Sequence, residues 1–355
     1  MQLHKDQIPE HLLKYFEPVE ETWPDGWVGS LGLEPTPELY VEHLVLIFQE
    51  LRRVLHPTGT FWLNLGDSYM SHAAKDMASL GGREGERVAD EEGYEDTVLF
   101  GHAPVAGLKD KDLVGIPWRA ALALQADGWW LRNSIIWQKS NPMPSSVQDR
   151  FSCKYEFVFL FAKQARYYFD LEAVKVPSNS TSAGKNPGNV WTLPHSPYKG
   201  AHFACWPPKL VERMILAGSS EKGRCPTCKA PWGRVVDRKW AQPTRQNYKA
   251  AETAHWKGLQ PTGRIGGFVG GQVATKGWQP TCECPAHEPE RSVVLDPFSG
   301  SATTGLVALQ LGRNYVGLDL NEKYLPLALA RLEGRAAPKT STDSEPNLIE
   351  ELFGV

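Results

Sequence analysis

Along the chain, segments whose hydrophobic residues repeat with the period of a helix alternate with segments whose apolar runs are typical of strands. Helical spacing begins at Thr36, which can cap a helix with Pro37 in its first turn, and it stops at Pro57. An aromatic and apolar run from Thr60 to Leu65 then predicts a buried strand. The alternation continues with predicted helices over 117–126 and 208–216 and predicted strands over 130–137, 155–161, 167–169 and 190–193. This order predicts an α/β domain.

A second compact set of elements occupies residues 291–331. A short apolar strand over 292–295 ends on Asp296, a turn over 298–301 leads into a helix from about 302 to 311, and Gly312 stands at the helix stop. A second strand follows over 314–318, and Asp319 comes directly after it. Asn321 can cap the helix that comes next. This stretch is predicted to form a βαβ unit.

The polar residues of that unit indicate a nucleoside site. A carboxylate about twenty positions after a glycine turn, at the end of the next strand, can accept hydrogen bonds from both ribose hydroxyls. A dinucleotide site needs three glycines in its turn so that bare backbone approaches the pyrophosphate, whereas this turn has only Gly300. A pyrophosphate ligand is therefore disfavoured. The alternative is an ordinary βαβ crossover without a ligand.

The string DPFSGSATTGLVALQLGRNYVGLDLN resembles the cofactor motif of the amino-methylating DNA methyltransferases, D-P-F-x-G-S-G-T-T followed by G-x-D/E. The resemblance implies a doubly wound, Rossmann-like sheet and S-adenosylmethionine as cofactor. It places the ribose on Asp319, and Ala302 replaces the second glycine of the motif. The residues implied to surround the rest of the cofactor are Asp296, Pro297, Phe298, Ser299, Gly300, Ser301 and Thr303.

Three further blocks resemble this family, and the first two resemble its phage and bacterial branch. LEPTPELYVEHL and RRVLHPTGTFWLNLGDSY precede the cofactor motif, and GAHFA implies that His202 and Phe203 help to enclose the cofactor. A lone histidine is also commonly a structural hydrogen-bonding residue. The family loop that corresponds to residues 139–150 lies near the target base, which implies that Asn141 and Arg150 contact double-stranded DNA. Trp129, Trp130 and Trp137 are expected in the core.

Composition and charge indicate the general class of protein. The 355 residues carry a net charge of −3 and are 41% hydrophobic, as in a soluble globular protein. No apolar run reaches membrane-spanning length and residues 1–10 lack a signal-peptide core, so a cytoplasmic protein of a bacterial or phage-infected cell is expected. Residues 70–111 are polar and predict a mobile loop, which is either a flap over DNA or a surface excursion.

Cysteine spacing and charge mark residues 221–290 as an insertion. Cys225 and Cys228 form a C-x-x-C pair before a basic segment, and Cys282 and Cys284 form a C-x-C pair after it, with His287 as a substitute ligand. Four thiolates can complete a tetrahedral zinc shell, as in a zinc ribbon. The alternative is free thiols or a labile disulfide, and Cys153 and Cys205 are expected to be small buried residues.

Basic residues dominate the segment between the cysteine pairs. From Glu221 to Lys276 there are eleven Lys or Arg against three Asp or Glu, a net of +8 that leaves −11 for the rest of the chain. Interleaved aromatic residues fit phosphate neutralisation with stacking, and a solvated basic face is the alternative. The residues expected to bind DNA here are Arg234, Arg238, Lys239 and Arg245.

The predicted domain order is a first methyltransferase part over 1–220, the insertion over 221–290, a cofactor-binding part over 291–333 and a flexible tail over 334–355. The resemblance leads one to expect an Asp/Ser/Asn-Pro-Pro-aromatic tetrapeptide that aligns the amine, but the only Pro-Pro pair, Pro207-Pro208, is followed by Lys209. The catalytic residues are therefore unknown. Two hypotheses remain: an enzyme that methylates adenine N6 or cytosine N4, or a remnant that binds its ligands and needs a missing segment, a partner chain or a homodimer.

Overall fold

The computed structural model describes residues 21–70, 107–142, 144–178, 183–194, 206–240, 271–285 and 287–334. The chain divides into two compact units. The first comprises residues 1–167, 189–215 and 293–355, and the second comprises residues 168–188 and 216–292. The predicted insertion, 221–290, falls within the second unit. No helix in the described ranges combines the length and the apolar character needed to cross a bilayer.

The first unit has a mixed α/β fold. A two-residue hairpin, β1 (Glu21–Thr22) with β2 (Val28–Gly29), precedes α1 (Pro37–Val54), β3 (Thr60–Leu65), α2 (Ile116–Ala126), β4 (Trp130–Lys139), β5 (Tyr155–Ala162) and β6 (Val190–Leu193). Helix α4 (Pro208–Gly218) follows and crosses into the second unit. The unit ends with β9 (Val293–Asp296), α5 (Thr303–Gln310), β10 (Asn314–Gly317), a 3-10 turn (Glu322–Tyr324) and α6 (Leu325–Leu332).

The main sheet of the first unit has the strand order β3-β5-β4-β6. Strand β5 runs antiparallel to both of its neighbours, and β4 and β6 are parallel, so β3, β4 and β6 all point the same way. Their carboxyl ends therefore meet at one edge of the sheet. That edge carries the segment after Leu65, the loop after Lys139 and the end of Leu193, and ligands of α/β sheets bind outside such carboxyl ends.

The core forms where α1 and α2 pack on this sheet. Thr36 caps α1 by accepting the Leu39 N–H at 3.2 Å, and Pro37 opens the helix, as the sequence predicts. One face of α1 brings Leu44, Phe48 and Leu51 against the strand and helix side chains of the same cluster, which are Phe61, Leu63, Ala120, Ala121, Leu124, Phe159 and Phe161. Burial of such side chains contributes about 1.5–3 kcal/mol each, so this cluster holds the sheet edge in place.

Strands β9 and β10 form a separate parallel pair in which Gly317 lies opposite Asp296. Helix α5 connects them, and Gly312 ends it at φ +75° as predicted. Among the described residues β10 is the only strand paired with β9, and β5 is the only strand paired with β3. Leu295 of β9 nevertheless packs against the core cluster that contains Phe61 and Leu63 of β3. Strands β3 and β9 thus contribute to the same core, although no described strand is hydrogen-bonded between them.

The second unit is built on a long antiparallel hairpin, β7 (Trp232–Trp240) with β8 (Gly271–Pro280), beside the short helix α3 (Leu171–Val174). The sequence analysis predicted neither strand. Three expectations are wrong. Residues 167–169 were expected to form a strand and do not, and Trp130 and Cys153 were expected to be buried, whereas Trp130 is 48% exposed and Cys153 is exposed. Trp129 and Trp137 are buried as expected, and Cys205 lies outside the described residues.

Candidate functional site

Asp296 organises the turn that follows β9. Its carboxylate accepts the Phe298 N–H at 3.0 Å through Oδ1 and the Thr304 hydroxyl at 2.6 Å through Oδ2. The side chain is buried, and burial raises the pKa of Asp296 while these two hydrogen bonds oppose the rise. Both carboxylate oxygens are therefore used to hold the turn onto the first residues of α5.

Asp319 lies beside the same turn because β10 runs parallel to β9. Its Oδ2 accepts the Gly300 N–H at 2.6 Å, and its Oδ1 accepts the Asn321 N–H at 2.9 Å. The residue is exposed to solvent, so the lone pairs that these bonds leave free are open to a ligand. Gly300 and Asp319 are nineteen positions apart in the sequence, and the structure brings them into direct contact, as the sequence analysis expects of a glycine turn and its acidic residue.

The side chains of Ser301 and Thr303 point into the protein. Both residues are buried, and Arg331 Nη1 donates to Ser301 Oγ at 2.9 Å, to Ser301 O at 3.2 Å and to Thr303 Oγ1 at 2.8 Å. Arg331 belongs to the last turn of α6. These hydroxyls therefore shape the turn rather than face solvent. The sequence analysis missed Arg331, since its partners lie 28 and 30 positions away.

Ala302 adopts a left-handed conformation, with φ 57° and ψ 41°. The family motif has glycine here, and a left-handed conformation costs an L-residue roughly 1 kcal/mol. Ala302 is fully buried. The replacement of glycine by alanine therefore adds a buried methyl group and also strains the backbone of the turn.

Two glycines make room for Tyr315 beneath the turn. A Cβ at Gly305 would lie 2.5 Å from the Tyr315 ring, and one at Gly317 would lie 2.5 Å from its hydroxyl. That hydroxyl hydrogen-bonds Ser299 Oγ at 2.8 Å, and burial raises the pKa of Tyr315 to about 12. Tyr315 therefore stays protonated at neutral pH and fixes Ser299.

Phe298 provides an apolar surface next to these polar groups. Its ring is 49% exposed, and it meets Phe48 of α1 edge-on at a centroid distance of 6.3 Å. The exposed Asp319 carboxylate beside the turn and the exposed Phe298 ring on the turn can hold a ligand with hydroxyls and an apolar part, as a nucleoside has. His202 and Phe203 lie outside the described residues.

Replacement of Arg331 by alanine is predicted to weaken cofactor binding about tenfold. The change removes a charged donor to two buried hydroxyls, and hydrogen bonds to charged groups contribute about 1.5–3 kcal/mol. Calorimetry with S-adenosylmethionine, the cofactor that the sequence resemblance implies, measures the change, and Arg331→Lys is expected to recover part of the affinity. Arg53→Ala is the control, since Arg53 pairs only at the surface with Glu50. Equal loss in both variants would contradict a specific role for Arg331.

The four cysteines of the second unit converge. The Sγ atoms of Cys225, Cys228, Cys282 and Cys284 all lie within 4.8 Å of one another. Sulfur atoms about 3.8 Å apart are what tetrahedral Zn–S bonds of ~2.3 Å require. His287 approaches Cys225 Sγ with Nδ1 at 3.9 Å, and its Nε2 is buried without a hydrogen-bond partner in the described structure. The group fits a tetrahedral metal site.

The cysteine cluster cannot ionise fully by itself. Burial opposes ionisation of Cys225, but the N–H groups of Cys228 and Thr227 outweigh it and lower the pKa of Cys225 to about 6. The thiol of Cys228, followed by burial, raises the pKa of Cys284 to about 12. Four close thiolates repel one another, and a divalent cation removes that repulsion.

Most described basic side chains of the segment already have acidic partners within the second unit. Arg234 is largely buried, pairs with Asp170 at 2.9 Å and Glu221 at 2.8 Å, and stacks on Trp278. Arg238 approaches Glu172 at 3.4 Å but is half exposed. The other ion pairs are Arg224–Glu290, Lys229–Glu290 and Lys276–Asp237. Lys239 lies in β7, and Arg245 is outside the described residues.

The two DNA-contact candidates of the first unit lie in the loop after β4, at the carboxyl edge of the sheet. Asn141 is exposed. Arg150 places its guanidinium carbon 3.7 Å from the centre of the Tyr69 ring, which follows β3. The structure therefore keeps both residues at the sheet edge where ligands of such folds bind.

Comparison with known proteins identifies the class to which this fold and site belong. A family model described as DNA methylase, for the N6 and N4 enzymes, matches residues 24–225 and 285–330. The chain belongs to this N6/N4 DNA methylase family, whose members are S-adenosylmethionine-dependent enzymes that methylate amino groups of DNA bases. This membership favours the enzyme over the non-catalytic remnant.

Particular relatives are type II methyltransferases. The chain is 34% identical over 310 residues to M.XycI of Xanthomonas campestris pv. cyanopsidis, covering 87% of this chain and 77% of the relative. It is 33% identical to M.SmaI of Serratia marcescens, covering 86% and 77%. A solved structure, the PvuII DNA methyltransferase (cytosine-N4-specific), aligns over 89% of this chain and 76% of that one at 15% identity and a TM-score of 0.47.

Proposed function

We propose that the turn over 296–304 and Asp319 bind S-adenosylmethionine, and that the enzyme methylates adenine N6 or cytosine N4 in double-stranded DNA. The observation that carries the proposal is the 2.6 Å hydrogen bond between the Gly300 N–H and Asp319, which joins the glycine turn to an exposed carboxylate. The cofactor supplies an activated methyl group when bound. Asp319 accepts its ribose hydroxyls, and Phe298 offers an apolar surface beside them.

Support for the binding mode comes from how firmly the turn is held. Asp296 fixes the N–H of Phe298 and the hydroxyl of Thr304, Arg331 fixes Ser301 and Thr303, and Tyr315 fixes Ser299. A site that is ordered before its ligand arrives loses little entropy on binding. We infer that β3-β5-β4-β6 and β9-β10 are parts of one doubly wound Rossmann-like arrangement.

For the second unit we propose a structural zinc ion held by Cys225, Cys228, Cys282 and Cys284. The support is the convergence of four sulfur atoms within 4.8 Å from two chain segments more than fifty residues apart. The ion would tie both ends of the β7–β8 hairpin together. His287 is the substitute ligand that the sequence offers, although its Nδ1, the nitrogen near Cys225, donates to the Pro285 carbonyl at 2.6 Å.

We propose further that the basic segment between the cysteine pairs contacts DNA phosphates. Arg234 is set aside, because two carboxylates already neutralise its guanidinium. Arg238 keeps half of its side chain exposed, and Lys239 and Arg245 continue the basic run beyond it. Binding through several phosphates makes affinity fall steeply as salt concentration rises.

The direct test is transfer of tritiated methyl groups from S-adenosylmethionine to unmethylated plasmid DNA. Labelled DNA is then digested to nucleosides, and chromatography separates N6-methyladenine from N4-methylcytosine. We expect label in one of these two products. Binding of cofactor and DNA without any transfer would support the remnant instead, and label at carbon 5 of cytosine would overturn the proposed chemistry.

A further inference from the structure

The loop from Ser140 to Lys154, which joins β4 to β5, carries a phenyl ring that is almost completely bare. Phe151 is 98% exposed, the highest exposure of any large hydrophobic residue in the described part of the chain. Most exposed apolar residues sit on strand or helix faces and cover part of their surface. Single exposed apolar side chains are common on protein surfaces, so the position and the surroundings of this ring decide whether it meets a partner.

The loop that presents this ring is anchored on both sides of it. At its base the Lys139 N–H donates to the Lys154 carbonyl at 2.9 Å. On the N-terminal side Asp149 pairs with Lys111 at 2.8 Å, and Arg150 stacks on Tyr69. On the C-terminal side Cys153 Sγ donates to the Tyr155 carbonyl at 3.3 Å. The anchored loop therefore holds the Phe151 side chain in solvent.

The support under the loop is itself fixed. Tyr69 lies between Ser68, whose carbonyl accepts the Val114 N–H at 2.9 Å, and Met70, whose N–H donates to the Asp112 carbonyl at 2.9 Å. Asp67 adds hydrogen bonds from the Gly115 and Ile116 N–H groups at 2.8 and 3.1 Å. The Arg150–Tyr69 stack thus rests on a rigid base.

Position and charge indicate what covers the ring. The loop lies at the edge where the carboxyl ends of β3, β4 and β6 meet, and the basic residues Arg150 and Lys154 flank Phe151. A flat apolar ring on a segment that carries two cations matches a polyanion with stacked aromatic bases. Enzymes that modify a base take it out of the stack, and an inserted side chain can fill the space left behind.

We propose that Phe151 inserts into the DNA duplex and stacks in the gap that the target base leaves, which rests on the proposed function. Arg150 and Lys154 would neutralise the phosphates on either side. Phe151 then contributes to methylation of paired DNA without touching the cofactor.

Methyl-transfer rates of Phe151→Ala test this role. The variant is expected to transfer methyl groups to duplex plasmid about 10- to 100-fold more slowly than wild type, the range given by loss of one base stack. The loss should shrink to a few-fold on heat-denatured plasmid, and Phe151→Trp should restore most of the rate. Cofactor affinity and thermal stability should not change, because the ring is bare in the free protein.

Trp130→Ala is the matched control, since Trp130 is an exposed aromatic residue at the opposite end of β4. A duplex rate for Phe151→Ala equal to wild type, or an equal loss on duplex and denatured DNA, would overturn the proposal.

A second measurement does not depend on catalysis. Phe151 is replaced by the photoreactive 4-benzoylphenylalanine, and the protein bound to plasmid fragments is irradiated. Crosslinks to DNA are expected at position 151 and not at position 130. DNA bound in a gel shift without a crosslink at 151 would refute insertion even if methylation fails. Crosslinking without methylation by wild type would instead contradict only the proposed function.

Discussion

Replacement of Asp319 by alanine is expected to abolish S-adenosylmethionine binding at micromolar cofactor while the protein stays folded. Two charge-assisted hydrogen bonds to the ribose are lost, which is on the order of 3 kcal/mol, or roughly 150-fold in affinity. The Gly300 N–H also loses its acceptor, so the turn becomes less ordered. Calorimetry gives the affinity, and circular dichroism verifies the fold.

Glu322→Ala is the control for this experiment. Glu322 is an exposed carboxylate three positions away in the 3-10 turn, so its removal changes the local charge equally. Its variant should bind cofactor as wild type does. Asp319→Asn is expected to fall between the two, because an amide keeps one acceptor oxygen. Unchanged cofactor affinity in Asp319→Ala would rule out the ribose contact.

Replacement of Cys225 by serine is expected to release the zinc ion. Purified wild type should contain about one zinc per chain, as four thiolates in a tetrahedral shell predict. Structural zinc contributes about 10–16 kcal/mol of apparent binding free energy in small metal-dependent domains, so its loss should unfold the β7–β8 hairpin. Atomic absorption measures the metal, and limited proteolysis reports the hairpin.

Cys153→Ser is the matched control, because Cys153 is exposed and lies in the first unit, away from the cluster in sequence. It should keep zinc and protease resistance. Cofactor binding by Cys225→Ser should persist, since Asp319 and its turn belong to the first unit. Zinc-free protein from a purification without chelators would reject the metal site.

Local chemistry explains which parts of the fold could be predicted. The cap at Thr36 and the stop at Gly312 depend on residues within a few positions, so the sequence displays them directly. The Gly300–Asp319 pair could also be predicted, because the parallel βαβ geometry fixes which strand ends meet. In each case a short-range pattern determines the contact.

The features that could not be predicted from the sequence depend on contacts between distant parts of the chain. Strands β7 and β8 are polar and separated by thirty residues, and only their mutual pairing makes them strands. Arg234 is one of eleven cations between residues 221 and 276 of the sequence, and only the fold places Asp170 beside it. The exposure of Cys153 and Phe151 likewise depends on how their loop is anchored rather than on neighbouring residues.

The unpaired edges of β3 and β9 have a consequence for how this protein meets other chains. Backbone donors and acceptors along each edge have no strand partner in the described ranges, although both strands pack on the same core. An extended segment can add to such an edge through backbone hydrogen bonds, and the side chains decide which segment fits. Strand addition is therefore open here to a segment of this polypeptide or to another molecule.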